Sequence, residues 1–317
     1  MQSVVVTGAT GFIGKRLCEV LENRGCDVKR IIRNSESQYK PGKCVAIGGM
    51  DGNTNWTKLV AGYGCVVHLA ARVHVMANVS RKSQDKYWQT NVSGTLRLAH
   101  QAVAVGVQRF VYMSSIKVNG ETTYEEPFRP EDDTAPVDFY GQSKHLAEKG
   151  LQEIAAETGL EVVIIRPPLV YGPEVKANFL RLLKWVHNGV PLPFGAVDNK
   201  RSFVYVDNLT DFIIKCVVHP AAAGETFLVS DGVDLSTSEL IQKLAFYMNY
   251  SARLIPVPIG LLRLSARALG RTAQFERLCG SLQVDISKAE RLLDWHPPVA
   301  MDMGLKNTVS WYLRKNV

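Results

Sequence analysis

Short apolar runs rich in valine and isoleucine recur along the first half of the chain. They read SVVVTG at 3–8, DVKRII at 27–32, CVAIGG at 44–49, CVVHLA at 65–70, RFVYMS at 109–114 and EVVIIR at 161–166. Runs of this length and composition predict strands covered on both faces. Stretches with helical periodicity lie between several of them, at about 12–23, 84–105 and 138–157. Strands alternating with helices predict an α/β fold with a doubly wound parallel sheet. Ligands of such sheets bind at the carboxyl ends of the strands.

After Pro167 the rhythm changes. RPPLVYGPEVKANF and NGVPLPFGAVDNKRSF are loop-rich, with five prolines between 167 and 193. A shorter mixed pattern follows and ends in a helix near 301–314. The expected organisation is a sheet domain over 1–170, with segments near 203–230 returning to it. Residues 171–317 are expected mainly to form a smaller mixed α/β lobe that closes over the substrate. No internal repeat or low-complexity tract is present.

Composition narrows this picture modestly. The chain has 317 residues, 46% of them hydrophobic, enough for a well-buried core. The net charge of +7 suits an anionic ligand, or weak attraction to anionic lipid or nucleic acid, without choosing among them. Six cysteines (Cys18, Cys26, Cys44, Cys65, Cys216 and Cys279) are scattered, with no metal-ligand or disulfide spacing. The chain opens on its first strand with no signal-peptide pattern, and no apolar run reaches about 18 residues. A cytoplasmic protein with no integral membrane segment is expected. The tryptophans are not interleaved with basic residues, so no nucleic-acid platform is expected.

TGATGFIG places Gly8, Gly11 and Gly14 at three-residue spacing between the first strand and the first helix. Gly8 permits a tight turn, Gly11 a close approach to a pyrophosphate, and Gly14 close packing of helix on strand. Gly11, Phe12, Ile13 and Gly14 then form the helix start on which the pyrophosphate rests. The strand–turn–helix context makes this a Rossmann-type dinucleotide site. The second strand ends without the acid that would hold ribose hydroxyls. It ends on Arg33, followed by Asn34 and Ser35. A guanidinium pairs with a 2′-phosphate, so NADP(H) is the favoured cofactor, with NAD(H) open.

FYGQSKHLAEKGL sets Tyr140 and Lys144 four apart, on one face of a helix. An ammonium nearby favours the phenolate and makes the tyrosine a usable acid/base. Ser115, 25 residues before Tyr140, stands at the end of the fifth strand, where its hydroxyl can hold the reacting oxygen. Together with the glycine turn these residues form a candidate catalytic set.

In order along the chain stand TGATGFIG, VVHLAA (66–71), NVSGT (91–95), the serine pair 114–115 and YGQSK (140–144). RPPLVYGP (166–173), RSFVYVDNL (201–209) and LDWHPP (293–298) follow. The whole set resembles an extended short-chain dehydrogenase/reductase of the nucleotide-sugar epimerase/dehydratase family. The resemblance implies that Tyr140 is the acid/base, that Lys144 tunes it and holds the nicotinamide ribose, and that Ser115 binds the sugar oxygen. Leu69, Ala70 and Ala71 would line the cofactor, with Pro167 and Leu169 flanking the nicotinamide. Asn178, Phe179 and Phe194 would contact the sugar nucleotide, and Arg201 its diphosphate. A homodimer through helices 84–105 and 138–157 is implied as well. The family often has a Gly-Asp pair near the adenine. Here Gly48-Gly49-Met50 stands in its place, so the adenine contact falls to backbone near Met50.

The residues after Ser115 bear on the reaction. The family's 4,6-dehydratases keep an Asp and a Glu there, and this chain has Ile116 and Lys117. Elimination of water therefore lacks its acids. A GDP-fucose synthase would have Cys where Lys117 stands. What remains is a hydride step at carbon 4 of a UDP-sugar. The favoured form is NADPH-dependent reduction of a UDP-4-keto-6-deoxy-N-acetylhexosamine, as in UDP-N-acetylquinovosamine synthesis for surface polysaccharide. The alternative is a UDP-glucose or UDP-N-acetylglucosamine 4-epimerase with tightly held NAD. A non-catalytic dinucleotide sensor is a further alternative, disfavoured by the intact Ser115, Tyr140 and Lys144. Lys117 is placed among the substrate residues, with solvent, a phosphate or a hydroxyl as its contact.

Two features take plainer readings. His68 reads as a packing and hydrogen-bonding residue. Arg263, Arg267 and Arg271 lie on a helix with Leu261, Leu262, Leu264, Ala268 and Leu269. The expected arrangement is a solvated face beside a core face, with docking on anionic lipid as the alternative.

Overall fold

In the computed structural model, residues 3–33, 44–73 and 81–315 are described. Ten strands occur among them: β1 (Ser3–Thr7), β2 (Asp27–Arg33), β3 (Cys44–Ile47), β4 (Cys65–His68), β5 (Arg109–Met113), β6 (Glu161–Arg166), β7 (Leu169–Tyr171), β8 (Arg201–Tyr205), β9 (Thr226–Leu228) and β10 (Asp234–Leu235). Seven form one parallel sheet in the order β3-β2-β1-β4-β5-β6-β9, and β10-β8-β7 form a second, mixed sheet. The strand order turns back beside β1, between β2 and β4. A crevice opens there at the carboxyl ends of the strands.

The α-helices are α1 (Phe12–Asn23), α2 (Thr57–Val60), α3 (Arg81–Tyr87), α4 (Gly94–Ala104), α5 (Phe139–Thr158), α6 (Ala177–His187), α7 (Val206–Val218), α8 (Thr237–Tyr247), α9 (Ile259–Ala268), α10 (Thr272–Cys279), α11 (Ser287–Leu293) and α12 (Met301–Lys315). No helix among the described residues is long and apolar enough to cross a membrane.

Strand alternation divides the core. Val4, Val6, Val67, Val111 and Val163 face a layer that holds Leu17, Leu21, Phe212 and Phe227. Val5, Val66, Phe110, Tyr112 and Ile164 face the opposite layer, with Trp56, Leu98, Leu151 and Ile154. Side chains of successive strand residues point to opposite faces, so each valine run is buried twice over. The second lobe has its own core, in which Tyr171, Phe179, Tyr205, Leu240 and Leu305 meet. After β8 the chain returns to the main sheet, where β9 pairs with β6 and α7 packs on the α1 side.

The strands expected from the sequence are present, with ends one to two residues shorter in several cases. The single helix expected over 84–105 is instead α3, one π-helical turn at Trp88–Ser93, and α4. The core face expected beside Arg263 and Arg267 is absent: α9 has no buried residue.

Candidate active site

The turn between β1 and α1 is built by backbone close approach. Gly8 sits at φ +69°, where a side chain is strained, and a Cβ there would lie 2.8 Å from the Ala70 nitrogen. A Cβ on Gly14 would lie 2.2 Å from the Gly8 oxygen, and one on Gly11 3.1 Å from it. The Gly11 nitrogen donates to the Gly8 carbonyl at 2.9 Å and closes the turn. α1 starts at Gly11 with no side-chain cap. Among the described residues no side chain caps its first N–H groups, including those at Phe12 and Ile13. This is the donor set an anionic pyrophosphate needs, and it fits a dinucleotide.

The walls of the crevice come from the neighbouring strand ends. Leu69 and Ala70 follow β4, and their nitrogens donate to Thr7 Oγ1 and the Thr7 carbonyl, both at 3.3 Å, Leu69 to the carbonyl and Ala70 to the hydroxyl. Ala71 continues the same half-buried edge. Arg33 ends β2, exposed, paired in register with Ile47 of β3. Asn34 and Ser35 lie outside the described residues. Met50 packs under α4, with its side chain 3.0 Å from where a Gly94 Cβ would stand. Asp51 is occupied in its own turn, accepting from the Asn53 nitrogen at 2.9 Å.

Ser115 follows β5 and is held by main chain on both sides. The Ser114 nitrogen donates to the Ile165 carbonyl at 2.7 Å, and the Ile116 nitrogen to the Pro167 carbonyl at 3.0 Å. The Ser115 hydroxyl accepts from the Lys117 nitrogen at 3.3 Å and lies near enough to the Tyr140 phenol to favour its ionised form. Burial pushes the Tyr140 phenol well above its ordinary value, and the negative charge of Asp138 adds to this. The neighbouring Ser115 hydroxyl opposes them.

Lys144 is 2% exposed. Its Nζ donates to the Met113 carbonyl at 2.6 Å and lies 5.9 Å from the centre of the Tyr140 ring. Burial pulls the ammonium down to about 7, against the carboxylate of Glu148. Lys144 is therefore close to Tyr140, as its spacing implied. Burial remains the largest influence on the Tyr140 phenol.

The contacts around Glu148 and Asn91 were not foreseen, while those of His68 follow its packing and hydrogen-bonding reading. Glu148, one turn after Lys144, receives Arg166 at 2.6 Å and 3.0 Å and also the Ser114 hydroxyl, all buried. The guanidinium continues to Asn119 Oδ1 at 3.0 Å. Asn91 in the π-helical turn is buried. It accepts from the Arg72 nitrogen at 2.8 Å and donates to Ser143 Oγ at 3.0 Å, linking the β4 edge to α5. A buried asparagine inside NVSGT was the available signal. His68 bonds Thr7 Oγ1 at 2.7 Å and Thr95 Oγ1 at 3.0 Å, and burial keeps it uncharged, with its pKa pulled down to about 3.

Residues expected at the substrate divide. Pro167 and Leu169 flank the sheet's carboxyl edge, Leu169 partly exposed on β7. Asn178 is exposed at the start of α6 and Phe194 is half-buried. Phe179 differs from expectation. Its ring is 4% exposed and stacks on Tyr171 at 5.5 Å, so it builds the lobe's core rather than a wall of the crevice. Arg201 donates to the Gly280 carbonyl at 2.7 Å and forms no ion pair among the described residues. Burial pulls it down to about 10. A desolvated guanidinium without a carboxylate is suited to a diphosphate. Lys117, expected to meet substrate, is instead engaged by Glu121 at 2.7 Å and by Asp138.

The profile of the NAD dependent epimerase/dehydratase family matches residues 4–230. A UDP-glucose 4-epimerase of Vibrio cholerae is 42% identical over 318 residues, covering 99% of this chain and 97% of its own. The N-acetyl-alpha-D-glucosaminyl-diphospho-ditrans,octacis-undecaprenol 4-epimerase of Escherichia coli O157:H7 is 27% identical over 98% of this chain and 95% of its own. Among solved structures, MoeE5 in complex with UDP-glucose and NAD superposes with a TM-score of 0.80 at 25% identity, over 99% of this chain and 100% of that one. By profile, full-length identity and fold, the chain belongs to the NAD dependent epimerase/dehydratase family of nucleotide-sugar enzymes.

Proposed function

We propose that this protein is a UDP-sugar 4-epimerase that keeps its NAD bound through the cycle. The full-length 42% identity to a UDP-glucose 4-epimerase carries this reading. The joined Ser115, Tyr140 and Lys144 support it. A bound nicotinamide dinucleotide supplies the acceptor and donor of the hydride at carbon 4. Ser115 holds the 4-oxygen of the sugar beside the Tyr140 phenol, and Tyr140 moves the proton at that oxygen. Lys144 orients the nicotinamide ribose and supplies positive charge when protonated. Arg201 holds the diphosphate and leaves the sugar ring free to turn over. The same reading carries a cytoplasmic homodimer with α4 and α5 at its contact.

One observation favours a second reading. β2 ends on Arg33 with no acid, which suits the 2′-phosphate of an exchangeable NADPH. That cofactor belongs with reduction of a UDP-4-keto-6-deoxy-N-acetylhexosamine. The purified chain offered UDP-galactose and UDP-N-acetylgalactosamine without added cofactor should interconvert at least one of them. Consumption of NADPH with the keto sugar, and no interconversion, would replace the epimerase by the reductase. In either case Tyr140→Phe should lower turnover by roughly a thousandfold or more and leave dinucleotide binding intact.

A further inference from the structure

We propose that α9 and the turn before it form an interfacial docking surface for a bilayer rich in anionic phospholipid. This rests on the surface of the second lobe and not on which sugar reaction the crevice performs.

The apolar side of α9 faces solvent. Leu262 and Ala266, one turn apart, are half-buried toward the protein. Leu261, Leu264 and Ala268 occupy the opposite side, at helical spacing i, i+3 and i+7. Leu261 is 56% exposed, Leu264 65%, and Leu269 just past the helix 68%. Arg263 and Arg267 form an adjoining stripe one turn long, exposed like the leucines. An outward apolar stripe flanked by arginines is the pattern of a helix that lies in a membrane interface.

The surrounding segment extends both properties. Seven of the sixteen exposed large hydrophobic residues among those described fall between Phe246 and Leu269. Between Glu239 and Glu276 the sequence has no acidic residue, while Lys243, Arg253, Arg263, Arg267 and Arg271 supply five positive charges, of which Lys243 is paired with Asp302 at 2.7 Å. The chain's excess charge is +7, so most of that excess is matched in size by this one stretch. Charge of one sign beside an apolar stripe complements an anionic lipid surface, where each arginine raises affinity by about fivefold. An apolar protein partner would not require the arginines.

The location gives the surface a use. The α9–α10 segment is fastened at both ends to the strip that carries Phe194 and Arg201. At one end the Leu192 nitrogen donates to the Arg253 carbonyl at 2.8 Å, and the Gly195 nitrogen to the Ile255 carbonyl at 3.0 Å. At the other, Asn199 and Arg201 donate to the Gly280 carbonyl at 2.8 Å and 2.7 Å. A bilayer bound at α9 would therefore hold the diphosphate end of the crevice near the lipid surface.

The test is flotation of the full chain with vesicles. Vesicles of phosphatidylethanolamine with phosphatidylglycerol should carry the protein, and vesicles of phosphatidylcholine alone should not. Leu261→Ser with Leu264→Ser should lower the partition coefficient at least roughly tenfold, as should Arg267→Gln with Arg271→Gln. Turnover of a water-soluble UDP-sugar should be unchanged in both variants. Failure of the parent protein to float, equal flotation on both vesicle types, or unaltered flotation of the leucine variant would overturn the proposal. So would a change of oligomeric state in the leucine variant, which would make the face a contact between copies of the chain.

Discussion

Lys117 and Asp138 form an ion pair that ties the serine turn to the first turn of the helix carrying Tyr140. Asp138 is the N-cap of α5 and accepts from the Gly141 nitrogen at 2.8 Å with its other oxygen. The same carboxylate raises the pKa of Tyr140. Lys117 therefore offsets a negative charge that works against the phenolate. Lys117→Met should move the acid limb of the pH–rate profile to higher pH and reduce kcat/KM by roughly tenfold at neutral pH. Lys117→Arg should restore most of both. A profile that keeps its position in Lys117→Met would remove the positioning role.

The three glycines of the first turn should separate by experiment. A methyl at Gly14 meets backbone at 2.2 Å, so Gly14→Ala should cost about 3 kcal/mol of stability, read from urea denaturation. Gly11→Ala, with its nearest contact at 3.1 Å, should leave stability nearly intact and weaken dinucleotide binding instead. Equal destabilisation by the two would contradict the division of roles.

Glu148 and Arg166 are buried together, and removing one charge strands the other. Glu148→Gln should destabilise the protein by about 3–5 kcal/mol. Replacing both with uncharged residues of similar size should recover a good part of that loss. A urea midpoint unchanged in the single variant would count against the pair as a support of the β5 and β6 ends.

His68 predicts an acid-sensitive core. Its pKa lies near 3 in the fold and near 6.5 when the chain is unfolded. Below about pH 6.5 the unfolded chain takes up a proton that the folded chain refuses, so this contribution to stability falls as pH drops from about 6.5 to about 3. The slope cannot exceed about 1.4 kcal/mol per pH unit for one group. Thermal melting of His68→Gln between pH 7 and pH 4 should show a shallower decline than the parent.

Much of the site was legible because its signals are local. Gly8, Gly11 and Gly14 sit within one turn, and Tyr140 and Lys144 within one helical turn, so spacing alone places them on shared backbone. The ties between elements were not legible. Arg166 meets Glu148 from 18 residues away and Asn119 from 47, and periodicity reveals a buried face without naming what it meets. Phe179 shows the same limit, since an aromatic at a helix start reads equally well as a wall or as core. Lys117 was read for the chemistry it lacks, while its partners at 121 and 138 depended on a fold in which the serine turn meets the start of α5. For α9 the amphipathic pattern was visible, but pattern alone says that a face seeks cover, and the described chain leaves Leu261 and Leu264 exposed.

The rungs at Ser114 and Ile116 run the pairing of two strands past the end of the sheet, so the direction of the Ser115 hydroxyl is set by peptide groups that every sequence possesses. Side chains around Phe194 and Arg201 take no part in those rungs. Substrate preference can accordingly drift by mutation in one half of the crevice without disturbing aim in the other, which is the kind of independence that lets one scaffold serve many sugars.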